Sequence, residues 1–153
     1  MANTEHVHTI PTQSLSENAV IPSQAYRGDA GYDLCSTEKL TLEPFARALI
    51  PTGLAIELPY GYAGFVLPRS GLAIKKGLSI VNAPGLIDSN YRGELKVIAI
   101  NLDPKEPITI EIGDRIAQLV IMKVEEAKFN QVDSLDDSER GTGGFGSSGV
   151  QKQ

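Results

Sequence analysis

The chain carries one cysteine in 153 residues, so it can close no internal disulfide and has no set of thiolates for a structural zinc site. That residue, Cys35, sits in a β-prone stretch with no histidine nearby to activate it, and reads as an inert buried thiol. Long apolar runs are also lacking. No stretch approaches the roughly 20 apolar residues that span a bilayer, and Met1 to Ile10 have neither the basic start nor the continuous apolar run of a secretory signal. A soluble, cytoplasmic protein with no membrane partner is expected. Basic residues are outnumbered, leaving a net charge of −5, which argues against a general nucleic-acid surface because phosphate backbones are held by clustered Lys and Arg. An anionic ligand would need a local cationic pocket instead. Histidine is scarce: His6 and His8 are spaced as on one strand face, but two histidines make a weak metal signal.

Helical patterning is nearly absent. The chain runs as short β-prone segments broken by Pro and Gly at regular intervals, the pattern of an all-β sandwich or barrel, and its length suits one domain. Strands are expected over Gly31 to Ser36, Ala46 to Leu58, Tyr62 to Leu67, Leu78 to Val81, Glu94 to Leu102, Pro107 to Ile112 and Arg115 to Val124. One short helix is expected, with Ser70 as N-cap, Leu72 to Lys76 as its turns and Gly77 closing it. The run Ile116 to Met122 is apolar at odd and even positions alike, so as a strand it needs cover on both faces. Association with further copies of the chain would supply that cover. From Glu139 to Gln153 the chain is rich in Gly and Ser, with Phe145 and Val150 as its only apolar side chains, and reads as a mobile arm following a 1–138 domain.

Five segments hold residue types that suit chemistry. In Pro68-Arg69-Ser70-Gly71-Leu72-Ala73 an Arg, a hydroxyl and free backbone N–H groups gather at the start of the short helix, which suits a phosphate. A capped turn with a solvated Arg is the alternative. Asn82 to Gly93 separates two β-prone runs, so it is expected to form a long hairpin with Asp88 and Tyr91 near its tip. An ionised carboxylate there accepts a proton from water if that water is held against an electrophile, while turn chemistry alone also accounts for an Asp. Arg140-Gly141-Thr142-Gly143-Gly144-Phe145-Gly146-Ser147 resembles a phosphate-cradling loop without the Lys-Ser or Lys-Thr of a P-loop. Asp33, placed inside a strand, calls for a polar partner or a metal-bound water. Gln118, the polar residue in an apolar run, must be satisfied by something.

Taken in order, Ala-Gly-Tyr-Asp-Leu, Pro-Arg-Ser-Gly-Leu, Gly-Leu-Ile-Asp-Ser-Asn-Tyr-Arg-Gly, Gly-Asp-Arg-Ile-Ala-Gln-Leu and Arg-Gly-Thr-Gly-Gly-Phe-Gly-Ser resemble the five motifs of the trimeric dUTPase family, with none broken. The resemblance covers roughly Ala19 to Gly149. It implies a jelly-roll-like β-barrel, a homotrimer with shared active sites, and magnesium-assisted hydrolysis of dUTP to dUMP and pyrophosphate, which limits uracil in DNA and supplies dUMP for dTTP synthesis. Residue by residue, Asp88 matches the aspartate that deprotonates the attacking water. Leu86 and Ile87, with Asn82 and Lys96, match the uracil and sugar pocket, and Tyr91 the ring under the deoxyribose. Arg69, Ser70 and Gly71 match the phosphate-binding turn, Gln118 a phosphate contact, and Asp33 the acid that reaches Mg2+ through water. Arg140, Phe145, Gly146 and Ser147 match the arm that closes over base and phosphates. A related fold serves dCTP deaminases with a glutamate-centred site, where this chain has Asp88. A nucleotide-dependent switch for a protein partner is a second reading.

Overall fold

The computed structural model describes residues 7–149. His6, and with it the pairing of two histidines, lies outside them, as do the arm's last four residues. His8 sets its ring edge against Tyr62 at 4.5 Å between centroids.

Among the described residues eleven strands and one helix follow one another: β1 (Thr12–Ser14), β2 (Tyr32–Cys35), β3 (Leu40–Leu42), β4 (Arg47–Pro51), β5 (Leu54–Ile56), β6 (Tyr62–Leu67), α1 (Ser70–Lys76), β7 (Leu78–Ile80), β8 (Gly85–Ile87), β9 (Lys96–Asn101), β10 (Ile108–Ile110) and β11 (Arg115–Lys123). A four-stranded sheet in the order β2-β11-β6-β8 and a three-stranded sheet in the order β4-β9-β7 form the body, with the ribbons β1-β5 and β10-β3 beside them. The architecture is all-β and jelly-roll-like. Alternation explains it: in β9 the inward Val97, Ala99 and Asn101 are buried while Lys96, Ile98 and Ile100 are not. Leu34, Ile50, Leu54, Val97 and Leu119 belong to one continuous core, each large aliphatic contributing about 1.5–3 kcal/mol by burial. Among the described residues no helix is long and apolar enough to cross a membrane.

Three expectations are revised. The single strand over Ala46 to Leu58 is two, β4 and β5, because the chain turns at Thr52-Gly53: the Thr52 hydroxyl turns inward to donate to Leu95 O at 2.6 Å, and Gly53 takes φ 67. The N-cap of α1 is Arg69, in extended conformation and without a side-chain cap bond, so Ser70 is the first helical residue; Gly77 closes the helix in αL as expected. The segment between β7 and β9 is more than a hairpin loop. Strands β7 and β9 do pair, Leu78 with Asn101 and Ile80 with Ala99, but their connection crosses to the other sheet and adds β8 along β6.

Strand β11 is covered on its inner face, where Ala117 and Leu119 are buried, whereas Val120 is half-buried and Met122 is 53% exposed. Phe65 and the exposed Leu86 stand in the same cross-strand row as Val120, so this outer face carries an apolar stripe that one chain leaves partly open.

Candidate active site

Register brings the first cluster together. Asp33 on β2, Gln118 on β11 and Leu67 on β6 occupy one cross-strand row, and Leu67 leads directly into Pro68 and Arg69 at the mouth of α1. Asp33, its side chain 19% exposed, receives Arg69 Nε on one oxygen and Arg115 Nη1 on the other, each at 3.2 Å. Arg69 Nη1 also donates to Arg115 O at 3.2 Å, and Gln118 Nε2 donates to Pro68 O at 2.9 Å. Asp33, Arg69, Ser70, Gly71 and Gln118 line a single cleft of about 670 Å³, together with Lys75 and Lys76. The first amides of α1 have no partner within the helix, and with seven residues its dipole is short, so an anion placed here would meet Arg69 and those amides rather than a strong helix dipole. Behind this cluster, burial above all, and then the nearby Asp33 carboxylate, push the Cys35 thiol above its ordinary value, which keeps it protonated and inert.

A second cluster forms at β8. As the edge strand of its sheet, β8 pairs with β6 on one side only, which leaves half of its backbone N–H and C=O groups facing outward. Leu86, Ile87, Asp88, Tyr91 and Lys96 line one cleft of about 450 Å³, joined by Leu49, Glu94 and Ile98. Asp88 is exposed, and the turn that carries it is tied down: Tyr91 N donates to Asp88 O at 3.1 Å, and Arg92 Nη1 donates to Ser89 O at 2.7 Å and Tyr91 O at 3.0 Å. Arg92 is itself paired with Glu57 at 3.4 Å. The Tyr91 hydroxyl donates to Glu94 O at 3.0 Å. A Cβ at Gly93 would stand 2.4 Å from that hydroxyl oxygen, so the tyrosine takes this position only over a glycine.

Other expected site residues stand apart. Asn82 is exposed at the start of the connection and lines neither cleft. Arg140 donates to Gly143 O at 2.8 Å within the arm's own turns, Phe145 is fully exposed, and neither they nor Gly146 and Ser147 line either cleft. Sequence reasoning missed Arg115, although it lies inside Gly-Asp-Arg-Ile-Ala-Gln-Leu, because its link to Asp33 depends on a register irregularity between Arg115 and Ala117. It also missed Glu94, which the two-residue spacing to Lys96 signals as a neighbour on the same face.

Among the described residues no three of His, Cys, Asp and Glu gather to hold a metal. Among the described residues of this cleft, Asp33 is the carboxylate paired with cationic groups, its oxygens facing two guanidinium groups; Asp29 also lines the cleft and accepts from Tyr26 N at 2.9 Å. Such a donor set does not build a protein cage. It fits a magnesium ion held by phosphate oxygens and waters, with a single carboxylate reached through water.

A family model described as dUTPase matches residues 17–149. The chain is 58% identical over 141 residues to the deoxyuridine 5'-triphosphate nucleotidohydrolase of Rhodococcus erythropolis, covering 92% of this chain and 86% of that one. It is 59% identical over 129 residues to the enzyme of the same name from Leifsonia xyli subsp. xyli, covering 84% and 85%. Among solved structures, the dUTPase of Staphylococcus bacteriophage 80alpha with dUpNHpp matches with a TM-score of 0.86 at 36% identity, covering 94% of this chain and 100% of that one. A mutant dUTPase from phage phi11 of S. aureus, described for its coordination of a structural Mg(II) ion, matches with a TM-score of 0.77 at 32% identity, covering 85% and 100%. With a match that runs through all five motif segments, and a fold that follows solved dUTPases this closely, the chain belongs to the dUTPase family.

Proposed function

We propose that this chain hydrolyses dUTP to dUMP and pyrophosphate, with Asp88 as the general base. The observation that carries the reading is the placement of Asp88: exposed, with its turn fastened by Arg92, at a cleft whose other walls are the outward edge of β8, Tyr91 and Lys96. The outward-facing half of the β8 backbone, in the strand that carries Leu86 and Ile87, suits uracil, which offers an acceptor at O4 and a donor at N3. Cytosine reverses both and would leave buried groups unpaired. Tyr91 packs under the deoxyribose, Lys96 completes that pocket, and Asn82, which stands outside it in the single chain, would meet the nucleotide from the connection between β7 and β8. Arg69, Ser70, Gly71 and Gln118 hold the phosphates. Water held in line attacks the α-phosphorus, Asp88 takes its proton, and pyrophosphate leaves. A magnesium ion bound with the triphosphate would supply charge neutralisation at phosphorus, and Asp33 is the residue that would hold it, through water.

The working form we infer is a homotrimer in the cytoplasm. The base cleft and the phosphate cleft share no lining residue, yet one nucleotide must engage both kinds of group. Neighbouring copies would bring one chain's base cleft against another's phosphate cleft, cover the apolar stripe around Val120, and let Arg140, Phe145, Gly146 and Ser147 close over a bound nucleotide. That reading makes residues 139–153 a functional arm, and the product dUMP serves dTTP synthesis while uracil is kept out of DNA.

The test is hydrolysis of each common deoxynucleotide, with and without magnesium, by wild type and Asp88→Asn. Only dUTP should be cut rapidly, and Asp88→Asn should lose about 10²–10⁴ in kcat while still binding dUpNHpp. Comparable cleavage of dCTP or dTTP, or an active Asp88→Asn protein, overturns the assignment.

A further inference from the structure

Glu94 is the one carboxylate besides Asp88 among the residues lining the 450 Å³ cleft. It stands two residues ahead of Lys96, with Leu95 between them turned into the core at 1% exposure, so the Glu94 and Lys96 side chains share the opposite face. Three bonds converge on it. Gly53 N donates to Oε1 at 3.0 Å, Lys96 Nζ lies 3.4 Å from Oε2, and the Tyr91 hydroxyl donates to the Glu94 carbonyl at 3.0 Å. Its side chain is 25% exposed and that of Lys96 is 41% exposed.

We propose that Glu94 is a positioning residue for the deoxyuridine half of the substrate, holding the Lys96 ammonium at the cleft wall and anchoring the Tyr91 hydroxyl beside it. The inference rests on the dUTPase reading above. A lysine on its flexible four-carbon stem samples many rotamers, and binding that requires one of them pays for the ordering. Here the ordering is done before substrate arrives. The Gly53 amide sets the direction of the carboxylate, and its second oxygen is left to hold the ammonium. The carbonyl of the same residue fixes the aromatic ring, so the two side chains expected to touch the nucleoside are referred to one backbone unit. Neither bond reaches Asp88 or the phosphate cleft, so the effect belongs to nucleoside binding.

Glu94→Gln separates these contacts. The amide oxygen still accepts from Gly53 N, the backbone carbonyl still accepts from Tyr91, and only the charge that holds Lys96 is gone. KM for dUTP and Kd for dUMP should rise together by about five-fold, kcat should change by less than about two-fold, and inhibition by inorganic pyrophosphate should match wild type. Because Glu94 acts through Lys96, adding Glu94→Gln to Lys96→Met should cost nothing beyond Lys96→Met alone. The proposal is overturned by a Glu94→Gln protein with wild-type KM, by two effects that multiply in the double variant, or by pyrophosphate inhibition that weakens in step with KM. A wild-type protein that does not cut dUTP removes the functional reading and this inference with it; an active wild type with an unaltered Glu94→Gln variant removes this inference alone.

Discussion

Replacing Gly31 with alanine should damage the phosphate cleft through a residue distant in sequence. A Cβ at Gly31 would lie 2.2 Å from Gln118 Oε1, 3.0 Å from its Cδ and 3.2 Å from its Cβ. Carbon and oxygen do not approach so closely, so the amide must rotate away and surrender its 2.9 Å bond to Pro68 O. The lost hydrogen bond is worth about 0.5–1.5 kcal/mol net, and a side chain forced off its rotamer costs about as much again. A total near 2 kcal/mol would lower the melting temperature by roughly 4–8 °C in a chain of this length. Catalysis should fall as well, because the displaced amide would be lost to the phosphate contact proposed for Gln118; a bond of that kind is worth about 1.5 kcal/mol or more, or roughly ten-fold in kcat/KM for dUTP. Thermal melting and steady-state kinetics of Gly31→Ala, Gln118→Ala and the double variant provide the assay. Once Gln118 is truncated the added methyl has room, so Gly31→Ala should cost little on that background. Full additivity of the two substitutions, or a Gly31→Ala protein as stable and active as wild type, would refute the reasoning.

Two predictions concern stability alone. Asn101 is wholly buried; its Nδ2 donates to Leu42 O at 3.0 Å and Glu106 O at 2.8 Å, and its Oδ1 accepts from Asp103 N at 2.8 Å. Asn101→Ala strands the buried Leu42 carbonyl at about 1–3 kcal/mol and gives up two part-buried bonds at about 0.5–1.5 kcal/mol each, so a urea titration should show a loss of about 2 kcal/mol or more; a loss below about 1 kcal/mol contradicts this account. Asp103 accepts from the backbone N–H of Glu106 and of Lys105, and these bonds hold its pKa below the ordinary carboxylate value. A lowered folded-state pKa gives stability that is complete above the unfolded value of about 3.9 and is lost as pH falls through the lowered value. The urea midpoint of Asp103→Ala should therefore trail wild type at about pH 6 and converge with it on acidification below about pH 4; a gap that ignores pH defeats the assignment.

How far the sequence could be read depended on range. Periodicity in Lys96–Asn101 and Tyr62–Leu67 has a local cause, the two faces of a strand, and those elements stand where expected. Strand β8 is three residues long and owes its pairing to Phe65 and its neighbours on β6, so a pattern within its own segment is too short to signal it. The N-cap at Arg69 defeated a propensity argument, because Ser70 is the better capping residue by type but the chain enters the helix one position earlier. Leu86, Ile87, Asp88, Tyr91 and Lys96 are close enough in sequence to be suspected together. Asp33, Arg69 and Gln118 are not. Their grouping was suggested by motif resemblance, and the register that pairs Asp33 with Gln118 supplies the physical reason.

The motif glycines carry the last step of this logic. In Ala-Gly-Tyr-Asp-Leu the acid faces Arg69 and Arg115, and the glycine two positions earlier leaves the space that the Gln118 amide occupies. One short segment thus steadies both the guanidinium and the amide of the phosphate cleft. In Tyr-Arg-Gly the arginine ties the turn that bears Asp88, and the glycine clears room for the Tyr91 ring. Neither glycine touches substrate in this account. Each is needed because a polar side chain must lie where a Cβ would be, so a methyl at either position should disturb folding and chemistry together. The two clefts are therefore prepared within a single chain, side chain against backbone. In the homotrimer proposed above, association between copies would have only to bring a prepared base cleft against a prepared phosphate cleft, and the arm would have only to close over a nucleotide already held.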